Sequence, residues 1–220
     1  MSDTSKLIQE LIDLSKDAGC YNPTYVADIA KRAAEVLSEK SRTIILVCGR
    51  SGSGKDTYVN ALLKRGYKSV CSYTTRPRRD GEGNTHIFIN NDEVDLYPDK
   101  VAITEINGYT YFATKEQLME ADFYIIDPLG IKYLTENFPE IKYRIVYIYA
   151  DKNIRKHRAV MRGGEKEANI FEARDASENE QFTEFEQNLY KTNAIVHVNN
   201  GDNIDDIIRM AKDDTEGIFK

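Results

Sequence analysis

Thr-Ile-Ile-Leu-Val-Cys-Gly-Arg-Ser-Gly-Ser-Gly-Lys-Asp-Thr, residues 43–57, decides the fold. Its first six residues are β-branched or apolar without alternation, the pattern of a strand buried on both faces. A Gly/Ser loop follows, and residues 55–64 read as a helix. A glycine-rich string between a buried strand and a helix is a phosphate-binding loop. The glycines let successive backbone N–H groups turn inward toward phosphate oxygens. The helix start adds the positive end of its dipole. Gly49, Arg50, Ser51, Gly52, Ser53, Gly54, Lys55, Asp56 and Thr57 are therefore the expected nucleotide-binding residues, with Lys55 reaching the β- and γ-phosphates as a compact charge. The usual motif has Ser or Thr after the lysine as a magnesium ligand. Here that residue is Asp56, so Asp56 and Thr57 are the candidate metal ligands.

Outward from this loop the pattern alternates. Buried strands are expected at Phe123–Ile126, Ile145–Tyr149 and Ile195–Val198. Helices are expected at Thr114–Glu120, Ile131–Phe138, Asp151–Met161, Asn169–Leu189 and Ile204–Lys212. Strands alternating with helices imply an α/β fold, a parallel sheet with helices on both faces. Residues 70–112 break the alternation with turn residues and short strands (Ile87–Ile89, Val101–Glu105, Tyr109–Phe112) and read as a small insertion. Before residue 41, Leu7, Ile8, Leu11, Ile12 and Leu14 form one helical stripe. Gly19–Pro23 breaks it, and Val26, Ile29, Ala30, Ala33, Val36 and Leu37 form a second. This is a helical hairpin for packing or for a homodimer, with no chemistry of its own.

The whole chain, 220 residues with 41% hydrophobic and 30% charged, is long enough for one filled core. No apolar run approaches the ~20 residues needed to cross a bilayer. The N-terminus lacks the unbroken apolar stretch of a secretory signal, so a cytoplasmic location without membrane is expected. Cys20, Cys48 and Cys71 are an odd set without metal-type spacing. A net charge of −6 argues against a nucleic-acid coat. Two basic clusters, 76–79 and 155–162, leave room for a small anionic substrate.

The first cluster lies in Ser72-Tyr73-Thr74-Thr75-Arg76-Pro77-Arg78-Arg79-Asp80-Gly81-Glu82. This resembles the Ser-x-Thr-Thr-Arg-x-x-Arg-x-Gly-Glu signature of guanylate kinases, ~20 residues after the phosphate loop as in that family. The resemblance implies a kinase that transfers the terminal phosphate of ATP, with magnesium, to a nucleoside monophosphate, GMP or dGMP first. It places Ser72, Thr75, Arg76 and Arg79 at the acceptor, the arginine forks holding its phosphate. Tyr111, in Gly108-Tyr109-Thr110-Tyr111, matches one of the family's two phosphate-binding tyrosines. His86 stands for the other, as a donor to phosphate or as a packing residue.

Guanine's N1 and N2 donors call for carboxylates. Asp127, before Pro128-Leu129-Gly130, resembles the family's base-facing aspartate; it could instead organise magnesium through water or cap the next helix. Glu105 is the nearest carboxylate for the family's second base reader, while ungapped matching puts Ala102 there. Adenine stays open. Arg158 and Arg162, four apart on one helix face, precede Gly163-Gly164 and Arg174, which resembles the family's mobile lid. Lys55, Arg158, Arg162 and Arg174 are the expected catalytic charges, since phosphoryl transfer is mainly positioning and electrostatics.

The resemblance covers about 43–212. It implies a kinase domain at 41–220, with the insertion at about 70–113 and the lid at about 158–174, after an extension at 1–40. The Gly-Lys-Asp-Thr form resembles that of some phage-type nucleotide kinases. Other acceptors consistent with the resemblance are several deoxynucleoside monophosphates, or ribose 1,5-bisphosphate. A non-catalytic, peptide-binding guanylate-kinase-like module is the rival from another class.

Overall fold

A computed structural model describes residues 9–11, 13–14, 23–41, 43–78, 86–106, 108–201 and 203–217, with backbone only at 34–41. The chain divides into two compact units. The smaller holds residues 1–42 and 140–142. Residues 9–11 and 13–14 are helical, and α1 spans Pro23–Ser41. Arg32 pairs with Glu10 at 3.0 Å. Of the expected second stripe, Ile29 is fully buried while Val26 and Ala30 are exposed. Residues 19–22 of the expected break lie outside the described residues.

The larger unit, residues 43–139 and 143–220, carries the phosphate loop. Its elements run β1 (Thr43–Cys48), α2 (Lys55–Leu63), β2 (Tyr73–Thr74), β3 (Ile87–Phe88), β4 (Lys100–Ile106), β5 (Tyr109–Thr114), α3 (Lys115–Glu120), β6 (Phe123–Ile125), α4 (Pro128–Asn137), β7 (Lys142–Tyr149), α5 (Lys152–Gly163), α6 (Lys166–Asn188), β8 (Ile195–Val198) and α7 (Ile204–Gly217). Short 3-10 turns at Asn91–Leu96 and Leu189–Lys191 complete it.

The main sheet is parallel, in the order β6-β1-β7-β8. Ile45 to Val47 pair with Phe123 to Ile125, and Val146 to Tyr149 with Ile195 to Val198. β1 is central, which is why Ile44 to Cys48 are all buried. Alternation along β1 and β7 sends Ile45, Val47, Val146 and Ile148 to one face, where Tyr58 and Leu62 of α2 and Ile207 and Ala211 of α7 cover them. Burying each such aliphatic side chain contributes ~1.5–3 kcal/mol. Tyr147 faces the other way, against Phe182 and Phe185 of α6.

Behind the loop, Tyr58 donates to Asp214 at 2.5 Å, and His197 hydrogen-bonds the same carboxylate at 2.6 Å, so one buried group ties α2, β8 and α7. Burial, with the Asp214 bond, pushes the Tyr58 hydroxyl well above the usual phenol range.

The insertion is a second sheet, β3-β2-β5-β4. Its strand at Tyr73–Thr74 is too short for periodicity to reveal. β2 pairs parallel with β3 and antiparallel with β5, and β4 pairs antiparallel with β5. The β4–β5 register shifts between Val101 and Thr104, and Ala102 sits there at φ 52. Such a bulge re-aims the side chains that follow it. Thr114 and Gln117 form a reciprocal capping box at the start of α3. Among the described residues no helix is long and apolar enough to cross a membrane.

Candidate active site

The loop between β1 and α2 is shaped by what surrounds its glycines. Gly54 has φ +101, and a Cβ there would lie 2.3 Å from Asn199 Nδ2. Gly52 has φ +80 and abuts the backbone of Arg155. Buried Asn199 donates to the Ser53 carbonyl at 2.7 Å. Three elements thus clamp the loop: its own helix α2, α5 through Arg155, and the segment after β8 through Asn199.

α6 makes a further set of bonds to it. Arg50 forks onto Glu186 at 2.8 and 2.9 Å, donates to Asn179 at 2.6 Å and lies over Phe182. Tyr147 also donates to Glu186. Burial opposes ionisation of Glu186 and is the largest single influence, yet the bonds from Arg50 and Tyr147 outweigh it and hold this carboxyl below its ordinary range. Arg155, buried, donates to Asp175 at 2.7 Å, to Ala150 O at 3.1 Å and to Ser51 O at 3.3 Å. Asp175 is likewise held low: burial works against its charge, but bonds from Lys152 and Arg155 prevail. The loop's own amide at Ser51 donates to Glu178 at 3.0 and 3.2 Å, and the Ser51 hydroxyl bonds the same carboxylate.

Three clefts adjoin the loop, and Lys55 lines all of them. One, about 280 Å³, holds Ser72, Thr104, Tyr124, Asp127 and Glu178. A second, about 420 Å³, holds Gly52, Gly54, Asp56, Thr57, Arg158, Arg162 and Asn199. The third, about 670 Å³, holds Asp56, Ser72, Arg76, His86 and Tyr111. Ser72, His86 and Tyr111 line both the first and the third, so those two are adjacent.

Most of the sequence-derived residues meet here. Ser72 is buried and bonds His86 Nδ1 at 2.9 Å, and the His86 ring meets Tyr111 edge-on. Arg76 is buried, packs over Phe88 and donates to Pro77 O at 2.8 Å. Asp127 caps α4 by accepting from Gly130 N at 2.9 Å; its other oxygen accepts from Thr104 at 3.4 Å on the cleft wall. Capping and cleft-lining, alternatives in the sequence, coexist. Burial, with the nearby Asp127 charge, pushes the Tyr124 hydroxyl up, so it stays a hydrogen-bond donor. Arg158 donates to Gly52 O at 3.3 Å, to Ser53 O at 3.4 Å, to Asn199 O at 3.0 Å and to Gly201 O at 2.7 Å, and Arg162 follows one turn on.

Four expectations meet a different placement. Glu105 is exposed, because alternation along β4 after the bulge turns Ala102, Thr104 and Ile106 to the cleft. The Arg50 side chain turns to α6, where Glu186 offers a buried partner, so only its backbone is left to the loop. The Thr75 hydroxyl accepts from Thr110 N at 3.0 Å and stitches the insertion together. Arg174 is exposed on α6 and lines none of the three clefts. Arg79 lies outside the described residues.

Reasoning from sequence also missed Glu178, Asn199, Thr104 and the Arg155–Asp175 pair. Glu178 and Asp175 sit in a helix rich in acidic residues, where residue type alone does not single them out. Asn199 had one available signal, a polar pair directly after a short apolar strand.

Comparison with known proteins decides the assignment. The family model described as guanylate kinase matches residues 40–213. The chain belongs to the guanylate kinase family. Like that family, it is a P-loop nucleoside monophosphate kinase, a phosphotransferase. The crystal structure of guanylate kinase from Anaplasma phagocytophilum superposes with a TM-score of 0.52 over 80% of this chain and 85% of that one, at 15% identity, a likeness of fold. No curated protein matches the chain.

Magnesium and a nucleoside triphosphate fit the residues present. The Ser51 amide and hydroxyl already bind an anionic group, and Ser53 Oγ is a buried hydroxyl without a partner inside the loop. No cluster of three His, Cys, Asp or Glu that could hold a metal occurs among the described residues.

Proposed function

We propose that this kinase transfers the terminal phosphate of ATP to GMP or dGMP. One observation carries the reading: Lys55 lines the loop cleft and both parts of the acceptor cleft, so a donor and an acceptor phosphate could reach one cation. In this reading ATP lies along Gly49–Thr57. The acceptor phosphate sits against Arg76, His86 and Tyr111, and the family resemblance assigns Arg79 to the same phosphate. The base reaches Ser72, Thr104 and Asp127. Serine and threonine hydroxyls with a carboxylate suit guanine, which offers N–H donors beside a carbonyl.

The chemistry asked of the protein is placement and charge. Asp56 and Thr57 would hold magnesium, which when bound neutralises phosphate charge. Lys55 draws the transferring group toward the acceptor. Arg158 leaves its loop carbonyls, and Arg162 the carbonyl of Arg158, for the equatorial oxygens as the segment from about 158 to 174 closes, and closure keeps water from taking the phosphoryl group. Arg174 needs that closure to arrive. The acceptor is already an oxyanion, so no strong base is required. The same reading makes residues 70–113 the acceptor-binding insertion of a 41–220 kinase domain, and residues 1–40 a helical extension.

The outward position of Glu105 favours a second reading, a kinase for several deoxynucleoside monophosphates or for ribose 1,5-bisphosphate. A panel of acceptors in a coupled ADP-release assay separates the two. GMP and dGMP should give the highest kcat/KM. Equal rates across all bases, or turnover with ribose 1,5-bisphosphate and none with GMP, would overturn the guanine assignment.

A further inference from the structure

Resting on the guanine reading above, we infer that Glu178 is a second base-reading carboxylate, held on the phosphate loop until ATP displaces it into the acceptor cleft.

Two facts about Glu178 motivate this. Its carboxylate bonds the Ser51 amide at 3.0 and 3.2 Å and the Ser51 hydroxyl, the kind of loop donors that receive phosphate oxygens. It also lines the same cleft as Ser72, Thr104 and Asp127, together with Ser177, Gln181 and Phe182 of its own helix. Positions 177, 178, 181 and 182 share one face of α6, so that face forms a wall of the acceptor cleft. From Asp175 onward the helix is tied by the Arg155–Asp175 and Arg50–Glu186 pairs, leaving the Glu178 side chain as the part of that stretch that can turn.

The charge balance gives the direction. A triphosphate entering the loop brings several negative charges to the Ser51 donors, and a single carboxylate cannot remain beside them. Rotation about its own side-chain bonds leaves it in the cleft it already lines. There it meets a deficit. Asp127 has one oxygen engaged by Gly130 N and the other near Thr104, and Glu105 faces outward. Guanine's N1–H and 2-amino group present three N–H donors, and each Asp127 oxygen already takes one bond inside the protein, so a second carboxylate would share them. Glu178 provides two acceptors, and does so once ATP is in place, which couples donor binding to acceptor recognition.

The test compares wild type, Glu178→Ala and Glu178→Gln, all checked for an unchanged thermal midpoint. GMP offers both donors to the carboxylate, and inosine monophosphate, lacking the 2-amino group, offers one. Glu178→Ala should lower the GMP-over-inosine-monophosphate ratio of kcat/KM about 10-fold, the size of one hydrogen bond to a charged group. Glu178→Gln, keeping one acceptor, should fall between. Calorimetry gives the coupling: a non-hydrolysable ATP analogue should tighten GMP binding several-fold in wild type, and this gain should vanish in Glu178→Ala. An unchanged ratio in Glu178→Ala, or no coupling in wild type, overturns the inference while leaving GMP turnover, and so the function, intact. Absence of GMP turnover in wild type overturns both.

Discussion

Placing a methyl group at Gly54 separates the two demands made on the phosphate loop, and Gly66→Ala supplies the control. Both glycines have left-handed backbones, φ +101 and +89. An alanine there costs roughly 1–2 kcal/mol for the backbone alone. At Gly66 nothing lies within 4 Å of the new methyl, so that is the whole effect. At Gly54 the methyl meets Asn199 Nδ2 at 2.3 Å, and the amide can yield only by giving up its 2.7 Å bond to Ser53 O. Losing that buried bond adds about 1–3 kcal/mol. The expected totals are ~1–2 kcal/mol for Gly66→Ala and ~2–5 kcal/mol for Gly54→Ala, read from urea midpoints at constant m-value. Turnover should diverge further. Gly66→Ala should keep the wild-type kcat, whereas Gly54→Ala should lose about 100-fold, since a small misplacement of positioning groups costs that much. Equal stability and equal turnover in the two variants would refute the idea that Asn199 shapes this loop.

Acid should weaken the fold through Glu186 and Asp175. Both are held below their ordinary values, so the unfolded chain binds more protons as pH falls. Their contribution is whole above the ordinary carboxylate range and is lost as pH drops through the depressed folded values, which urea midpoints measured from pH 7 to pH 3 would register. Asp175→Asn should flatten that slope and, by leaving buried Arg155 unpaired, destabilise by about 3–5 kcal/mol at pH 7. Asp127→Asn keeps a good helix cap, so its melting should barely move while KM for GMP rises about 10-fold. Glu105→Gln should leave that KM unchanged, and a rise matching Asp127→Asn would contradict its outward placement.

The fold was legible wherever the chain signals through burial. The run 43–48 is apolar because β1 is central, and the spacing of glycines before Lys55 reflects turns that neighbouring backbone enforces. The main helices and the strands β6 and β7 were readable for the same reason, whereas β8, expected as a buried strand, leaves Val196 and Val198 exposed at the sheet edge. β2 was not, since two residues carry no period. Residue type pointed to positions that the structure places on the cleft walls, as with the arginine before Pro77 and the aspartate before Pro128. The outward placement of Glu105 was not legible because the bulge at Ala102 alters which side chains face inward, and a local backbone irregularity has no signature in composition. Glu178 and Asn199 escaped notice because they act on a loop more than 100 residues away in sequence, and Asp175 because it acts only through Arg155; helix periodicity cannot say which polar position a tertiary contact will use.

The central claim is that one cation, Lys55, stands where phosphate passes between two nucleotides. Incubating the protein with γ-labelled ATP and GMP, and resolving the products, tests it directly. Wild type should place the label in GDP, and Lys55→Ala, with unchanged melting, should not. Label released only as inorganic phosphate, or GDP labelled at the same rate by Lys55→Ala, would contradict it.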